Sequence, residues 1–312
     1  MSVATVAVRS VERTRSGPGR WVIARHTARS ALLWAIVWGA VFGLLVISTV
    51  QAFLKGYPTL VQRTELAQSM QTFVILIGEG HHLETAAGFT SWRLMTTTAI
   101  IGAIWALRTS TGLLRGEEDA GRWELLLAGP TSARRATLEV LAGFGVSLVA
   151  MFGATLVGVL PATRIPGTRF PIDLAFLFAL SLVSSAAMFL AIGALAGQLA
   201  GSSGQATMLG SAVLGLAYVV RLVADSNTSF GWLRWASLLG WIEELSPLRD
   251  PQLVALLPMG ALIAACCVLT VLLAGRRDLN ASVLRERESR PGNTRWRVVR
   301  PDWRCIAHGA LP

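Results

Sequence analysis

Long uncharged runs, separated by short clusters of arginine and acid, organise this chain. Ser30–Leu54 lies between Arg29 and Lys55 without a charge. Leu174–Val220 holds 47 uncharged residues in a row, too many for one membrane-crossing helix and enough for two. A helix needs about 20 apolar residues to cross the hydrocarbon of a bilayer. Read this way, the pattern predicts six spans, at about 31–54, 91–113, 136–160, 174–199, 206–223 and 251–275. The long run breaks at Gly201-Ser202-Ser203-Gly204, where small flexible residues close a tight turn. Arg93 and Arg108 sit near opposite ends of the second span, where long side chains reach polar surroundings. All spans are expected to be helical, because a lone helix satisfies its own backbone in lipid. The fold class is therefore an all-α integral membrane bundle.

Composition supports the pattern. Hydrophobic residues make up 53% of the 312 residues and charged residues only 15%. A soluble domain carries about a quarter charged residues, so this chain cannot cover a water-facing surface. The net charge of +10 does not point to nucleic acid, because the arginines flank apolar segments instead of lining an aromatic groove. With the N-terminus inside, cytoplasmic segments hold 20 Lys/Arg and outer loops seven. That asymmetry places both termini in the cytoplasm of a multi-pass protein of the cell membrane. No cleavable signal peptide is evident, so the first span is expected to remain as an anchor. Residues 1–30 form a cytoplasmic segment, 31–275 the membrane domain, and 276–312 a basic tail without periodicity.

Several segments depart from plain spans and loops. Before span 1, Trp21, Val22 and Ile23 mix with Arg20, Arg25 and Arg29, which suits either an interfacial helix on the inner leaflet or a plain basic flank to the span. Between spans 5 and 6, Trp232, Trp235 and Trp241 with Leu238 and Leu239 are too apolar for water. They predict one or two short interfacial or re-entrant helices ending at Pro247. Glu79, His81, His82 and Glu84 have the residue types of a metal site but no supporting motif on their loop. Cys266, Cys267 and Cys305 follow no disulfide or zinc spacing. The single lysine, Lys55, stands in an outer loop, so there is no P-loop to bind ATP.

The most distinctive stretch is the polar island Arg108–Arg135. Glu117, Glu118 and Asp119 suit the positive end of a helix dipole. Glu118 and Arg122 stand at i,i+4, and Trp123, Leu126 and Leu127 share one face. Gly129-Pro130 stops the helix, and Thr131 or Ser132 caps the next one. The expected product is an amphipathic helix of about three turns, Glu117–Leu127, either docking on a partner or covering the bundle's inner end. Glu117, Glu118 and Arg122 also resemble the E-E-x-x-x-R signature of CAAX-type intramembrane proteases. The four histidines, His26, His81, His82 and His308, all lie outside the spans, which argues against that chemistry.

The run Arg115–Arg135 resembles the cytoplasmic coupling segment of ABC-2-type transporter permeases, closest to the antibiotic or polyketide exporter subgroup. Glu117, Glu118, Gly121, Arg122, Glu124, Leu125, Leu126, Pro130 and Arg134 match its pattern. Leu239–Pro251 and Leu272–Leu284 resemble the family's outer segment before span 6 and its exit from that span. The resemblance implies a six-helix half-permease of the type V exporter kind, with an interfacial N-terminal helix and a coupling helix. It implies a separate ABC ATP-binding subunit carrying ATP and Mg²⁺, a second permease half (identical or not), and no cofactor on this chain. The Trp232, Trp235 and Trp241 segment would be the outer gate. Members of the subgroup often join two six-span halves in one chain. Ending 37 residues after span 6, this sequence implies a half that pairs or a shortened frame. Few internal charges suggest an amphipathic or apolar, drug-like cargo. A rival reading is a non-transporting membrane scaffold, or an inactive remnant, that anchors a partner.

Overall fold

The structure, a computed structural model, describes residues 21–70, 82–123, 132–168, 172–245 and 251–275. Among the described residues every regular element is helical. Helix α1 is Val22–Gly56 and α2 is Leu60–Met70. Helix α3, Ala86–Thr111, continues through a π turn, Gly112–Gly116, into a last helical turn, Glu117–Asp119. Helix α4 is Ala133–Thr163, α5 is Ile172–Leu199 and α6 is Ser203–Ser226. A 3₁₀ stretch, Thr228–Ala236, leads into α7, Leu238–Glu244, and a second, Leu253–Ala255, into α8, Leu256–Ala274.

Five segments are long and apolar enough to cross a membrane: Val22–Gly56, Ala133–Thr163, Leu174–Leu199, Ser203–Ser226 and Leu253–Ala274. The sixth expected span, α3, is less apolar, since it carries Arg93, Arg108 and a run of threonines. Its polarity has a structural counterpart. More than half of its residues are buried in the bundle, including Thr90, Thr98, Ser110 and Thr111. Thr98, Ser110 and Thr111 each donate a hydroxyl to a carbonyl one turn back, so burial leaves those groups satisfied.

Helix α5 is the axis of the bundle. Most of it is enclosed, and it packs on α3, α4, α6 and α8. Ser185 donates to the Ala99 carbonyl of α3 at 2.6 Å, and Ser181 reaches the Met95 sulfur at 3.4 Å. Such interhelical polar contacts and close backbone approach hold helices together where lipid removes the hydrophobic drive. The α1–α4 pair shows the second device. A Cβ built on Gly43 would stand 2.7 Å from Gly158 Cα, and one on Gly143 would stand 2.8 Å from the Ala24 carbonyl oxygen. Only glycine permits these backbones to lie so close.

Two sequence expectations are corrected. The interfacial helix before span 1 is not separate: from Val22 the chain forms one helix of 35 residues through to Gly56. No proline or glycine interrupts Trp21–Trp38, so nothing stops helix propagation there. The Glu117–Leu127 helix is also not continuous. It ends after Asp119, and Gly121 adopts φ +72°, a left-handed residue that terminates a helix. Glu124, Leu125, Leu126, Leu127 and Pro130 lie outside the described residues, as do Glu79, His81 and Pro247.

Candidate functional site

The acidic turn is built by the π turn at the inner end of α3. A π turn admits one extra residue per turn and shifts the direction of side chains that follow. Here it brings Arg115 back under the bundle, where it is 3% exposed. Its guanidinium lies 2.8 Å from Glu118 Oε1 and 3.1 Å from Asp119 Oδ1. The same side chain donates to the carbonyl oxygen of Gly201, in the turn between α5 and α6. Asp119 completes the join, accepting the Ser203 backbone N–H on its Oδ2 at 2.7 Å. Thr111 and Thr207 share a hydroxyl hydrogen bond of 2.8 Å one turn higher. The acidic turn is therefore tied to α3 by covalent continuity and to the α5–α6 turn by a buried arginine.

The pairing differs from the i,i+4 expectation. Glu118 faces the buried Arg115, while Arg122 pairs with Glu117, with Nη2 to Oε1 at 2.7 Å. The break at Gly121 is the reason: it swings Arg122 out of helical register with Glu118. The Arg122 hydrogen bond holds the Glu117 carboxyl below its ordinary range. Trp123 is buried against the main apolar core, so the segment beyond the break starts docked on the bundle. Arg134, in the first turn of α4, lays its side chain across Gly275 at the end of α8. Ser132 caps α4, its hydroxyl accepting the Arg135 N–H at 3.4 Å.

A second inner contact joins α4 to the start of α1. Glu139 is buried, accepts the Ile23 N–H at 3.2 Å and sits 3.4 Å from Arg135 Nε. It thus satisfies one orphan donor of the α1 N-terminus with a negative charge, which the helix dipole favours.

At the opposite end of the bundle lie the three tryptophans of the expected outer gate. Trp232 is 67% exposed and Trp235 40% exposed, whereas Trp241 packs against the core. The Trp241 indole donates to the Trp235 carbonyl at 2.6 Å. Two short helices do occupy this region, and α7 enters the bundle: Leu239, Gly240 and Ile242 are buried, and it packs on α3, α5, α6 and α8.

The same region holds Arg221 and Arg234, two of the seven charges counted to outer loops, and the structure places Arg221 inside α6. Arg221, on α6, is 1% exposed and contacts Asp225 at 3.4 Å and the Glu243 carboxylate of α7. Arg234 holds the other Asp225 oxygen at 2.9 Å. Thr96 of α3 reaches Glu243 at 3.5 Å. The available signal was Arg221 closing an uncharged run of 47 residues, with an acid four positions on. His82 and Glu84 are in contact at 3.1 Å, and no group of three or more metal-ligating side chains occurs among the described residues.

Comparison with known proteins bears on this arrangement. Residues 21–230 match the family described as ABC-2 family transporter protein. A multidrug efflux system permease protein of Mycobacterium tuberculosis is 29% identical over 201 residues, covering 60% of this chain. The match spans 34% of that relative, so this chain corresponds to a minor part of its length.

Proposed function

The chain belongs to the ABC-2 family of transporter proteins, and we propose that it is the membrane-spanning half of an ABC exporter driven by a separate ATP-binding subunit. It is a multi-pass transporter permease; the motor, the cargo and the orientation are the proposed elements. One observation carries the reading. The acidic turn is joined to two parts of the bundle at once, by chain continuity to α3 and through buried Arg115 to the α5–α6 turn. A push on Glu117–Trp123 would reach α3, α5 and α6 together.

In the proposed orientation the acidic turn and both termini face the cytoplasm, and the Trp232–Trp241 region faces outward. All six long helices, α3 included, cross the membrane. ATP and Mg²⁺ belong to the partner chain, since this one has no P-loop lysine. A second permease half, identical or not, completes the path. The cargo is amphipathic or apolar, in keeping with the efflux role of the mycobacterial relative. Nucleotide-driven movement can shift the bundle between two packings only if the motor contacts them differently. Glu117, Glu118 and Arg122 present that contact, and the stretch through Leu126, Pro130 and Arg134 completes it.

The test is purification of the tagged full chain from its native membranes, followed by reconstitution. An ABC ATPase should co-purify, and apolar drugs should stimulate its hydrolysis. Arg115→Met should keep the ATPase bound and lose the stimulation. Retrieval of an ATPase whose hydrolysis and transport ignore the permease would favour the scaffold reading. Retrieval of no ATPase would overturn the exporter.

A further inference from the structure

We propose that α6 is a transmission rod, and that the buried Arg221–Glu243 pair is the latch by which it holds α7 closed over the outer end of the bundle. The direction of drive rests on the exporter reading; the latch itself rests on geometry alone.

The two ends of α6 are both tethered. At Ser203 its first N–H is held by Asp119 of the acidic turn. At Arg221 its last turns grip Glu243 of α7. These points are separated by about 27 Å at 1.5 Å per residue, with no proline between them to absorb a push. Displacing the acidic turn therefore displaces the grip on α7.

Helix α7 is tied to α6 near both ends and packed against α3, α5 and α8, so moving α6 against those helices loads its contacts. Just before its start the Ser237 hydroxyl donates to the Ala217 carbonyl of α6 at 2.7 Å. Near its end Glu243 pairs with Arg221 of α6 and accepts the Thr96 hydroxyl of α3 at 3.5 Å, beside the buried Ile242 and Leu245. When the charged pair lets go, the Ser237 end stays with α6, which makes α7 a flap. The flap also reaches below the surface. Thr96 is ten residues into α3, about 15 Å from that helix's outer start.

The choice of charges explains the switching. With Glu243 ionised, Arg221, Arg234, Asp225 and Glu243 sum to zero and the closed cluster needs no counter-ion. Burial pushes the Glu243 carboxyl up to about 7, so the pair is fully charged only above that pH. An apolar contact of the same volume would hold the flap as well or better. An ion pair differs in its response to water. It is strong while dry and weakens many-fold once wetted, because its strength scales inversely with the local dielectric. A small separation that admits water would thus remove the charged hold on the flap and leave only its apolar packing. Asp225 and Arg234 remain paired with each other when Glu243 leaves, so the opened state strands only groups that water can solvate. Charges at such positions in membrane proteins mark function far more often than stability.

The experiment uses the full chain with its partner subunits, Cys266, Cys267 and Cys305 replaced by alanine, and Thr96→Cys as reporter beneath the flap. A membrane-impermeant maleimide is applied to right-side-out and inside-out vesicles. Glu243→Gln breaks the charge pair while keeping the side-chain shape. It should label several-fold faster than the latched protein, from one side of the membrane only. If that variant does not accumulate, Arg221→Gln is read in the same way. An unchanged labelling rate overturns the latch. Trapping the ATPase with nucleotide and vanadate should also accelerate labelling, and Arg115→Met should remove that response. Acceleration that survives Arg115→Met overturns the rod. If the latch variant opens but nucleotide never does so, the exporter reading fails and the latch stands.

Discussion

The α1–α4 contact gives the sharpest test of how this bundle is held. Replace Gly43 with alanine. The new methyl would lie 2.7 Å from Gly158 Cα and 3.0 Å from the Thr155 carbonyl oxygen. Both neighbours are backbone, so no side chain can rotate away. Carbon atoms rest about 3.5–4.0 Å apart, so the helices must separate by about 1 Å at the crossing. A gap of that size forfeits up to about half of each dispersion contact along the seam. Overpacking of this kind costs about 1–3 kcal/mol. Gly145 and Gly153, on the same helix as Gly158, have nothing within 4 Å of a built Cβ. Alanine there should be neutral or stabilise by about 0.5–1 kcal/mol through helix propensity. The assay is thermal unfolding of purified protein in one detergent, read by loss of the monodisperse peak. Gly43→Ala should melt several degrees below wild type, and Gly145→Ala and Gly153→Ala at or above it. If all three melt alike, close backbone approach is not what joins α1 to α4.

Other outcomes follow from the inner end. Arg115→Met leaves Glu118 and Asp119 without their buried partner, a loss of about 1–3 kcal/mol, and should raise proteolytic cleavage near Gly121. Glu139→Gln keeps an acceptor for Ile23 but removes the charge at the α1 N-terminus. It should cost about 0.3–1 kcal/mol, measurable as a lowered melting point that high salt narrows. Gly121→Ala places a methyl-bearing residue at φ +72° and should destabilise by about 1–2 kcal/mol, or draw Glu117–Arg122 into one helix that exchanges the Arg122–Glu117 pair for Arg122–Glu118. A charge-reversal cycle on residues 117, 118 and 122 separates the two pairings: Arg122 should couple to Glu117 and not to Glu118.

Apolar run lengths sufficed to mark five helices long and apolar enough to cross a membrane, because hydropathy and length are sums over neighbouring residues. The Gly201–Gly204 break, the Ser132 cap and the two short helices around Trp235 were legible for the same reason, as local turn and cap chemistry. Partner choice was not. Arg115 and Arg221 look alike in sequence, each an arginine at the edge of an apolar run. Only folding places one against the Gly201 carbonyl and the other against Glu243, more than twenty positions distant in either case. The Glu118–Arg122 spacing favoured a pair that Gly121 then forbade, because one left-handed residue outweighs a surface ion pair worth a few tenths of a kcal/mol, roughly, in an isolated helix. In the same way a glycine at 43 permits close approach, but its counterpart at 158 is named only once α1 and α4 lie side by side. Composition and periodicity determined that the chain lives in a membrane as helices; the packing of those helices decided which charges bind, which glycines touch and where a push on the acidic turn would travel.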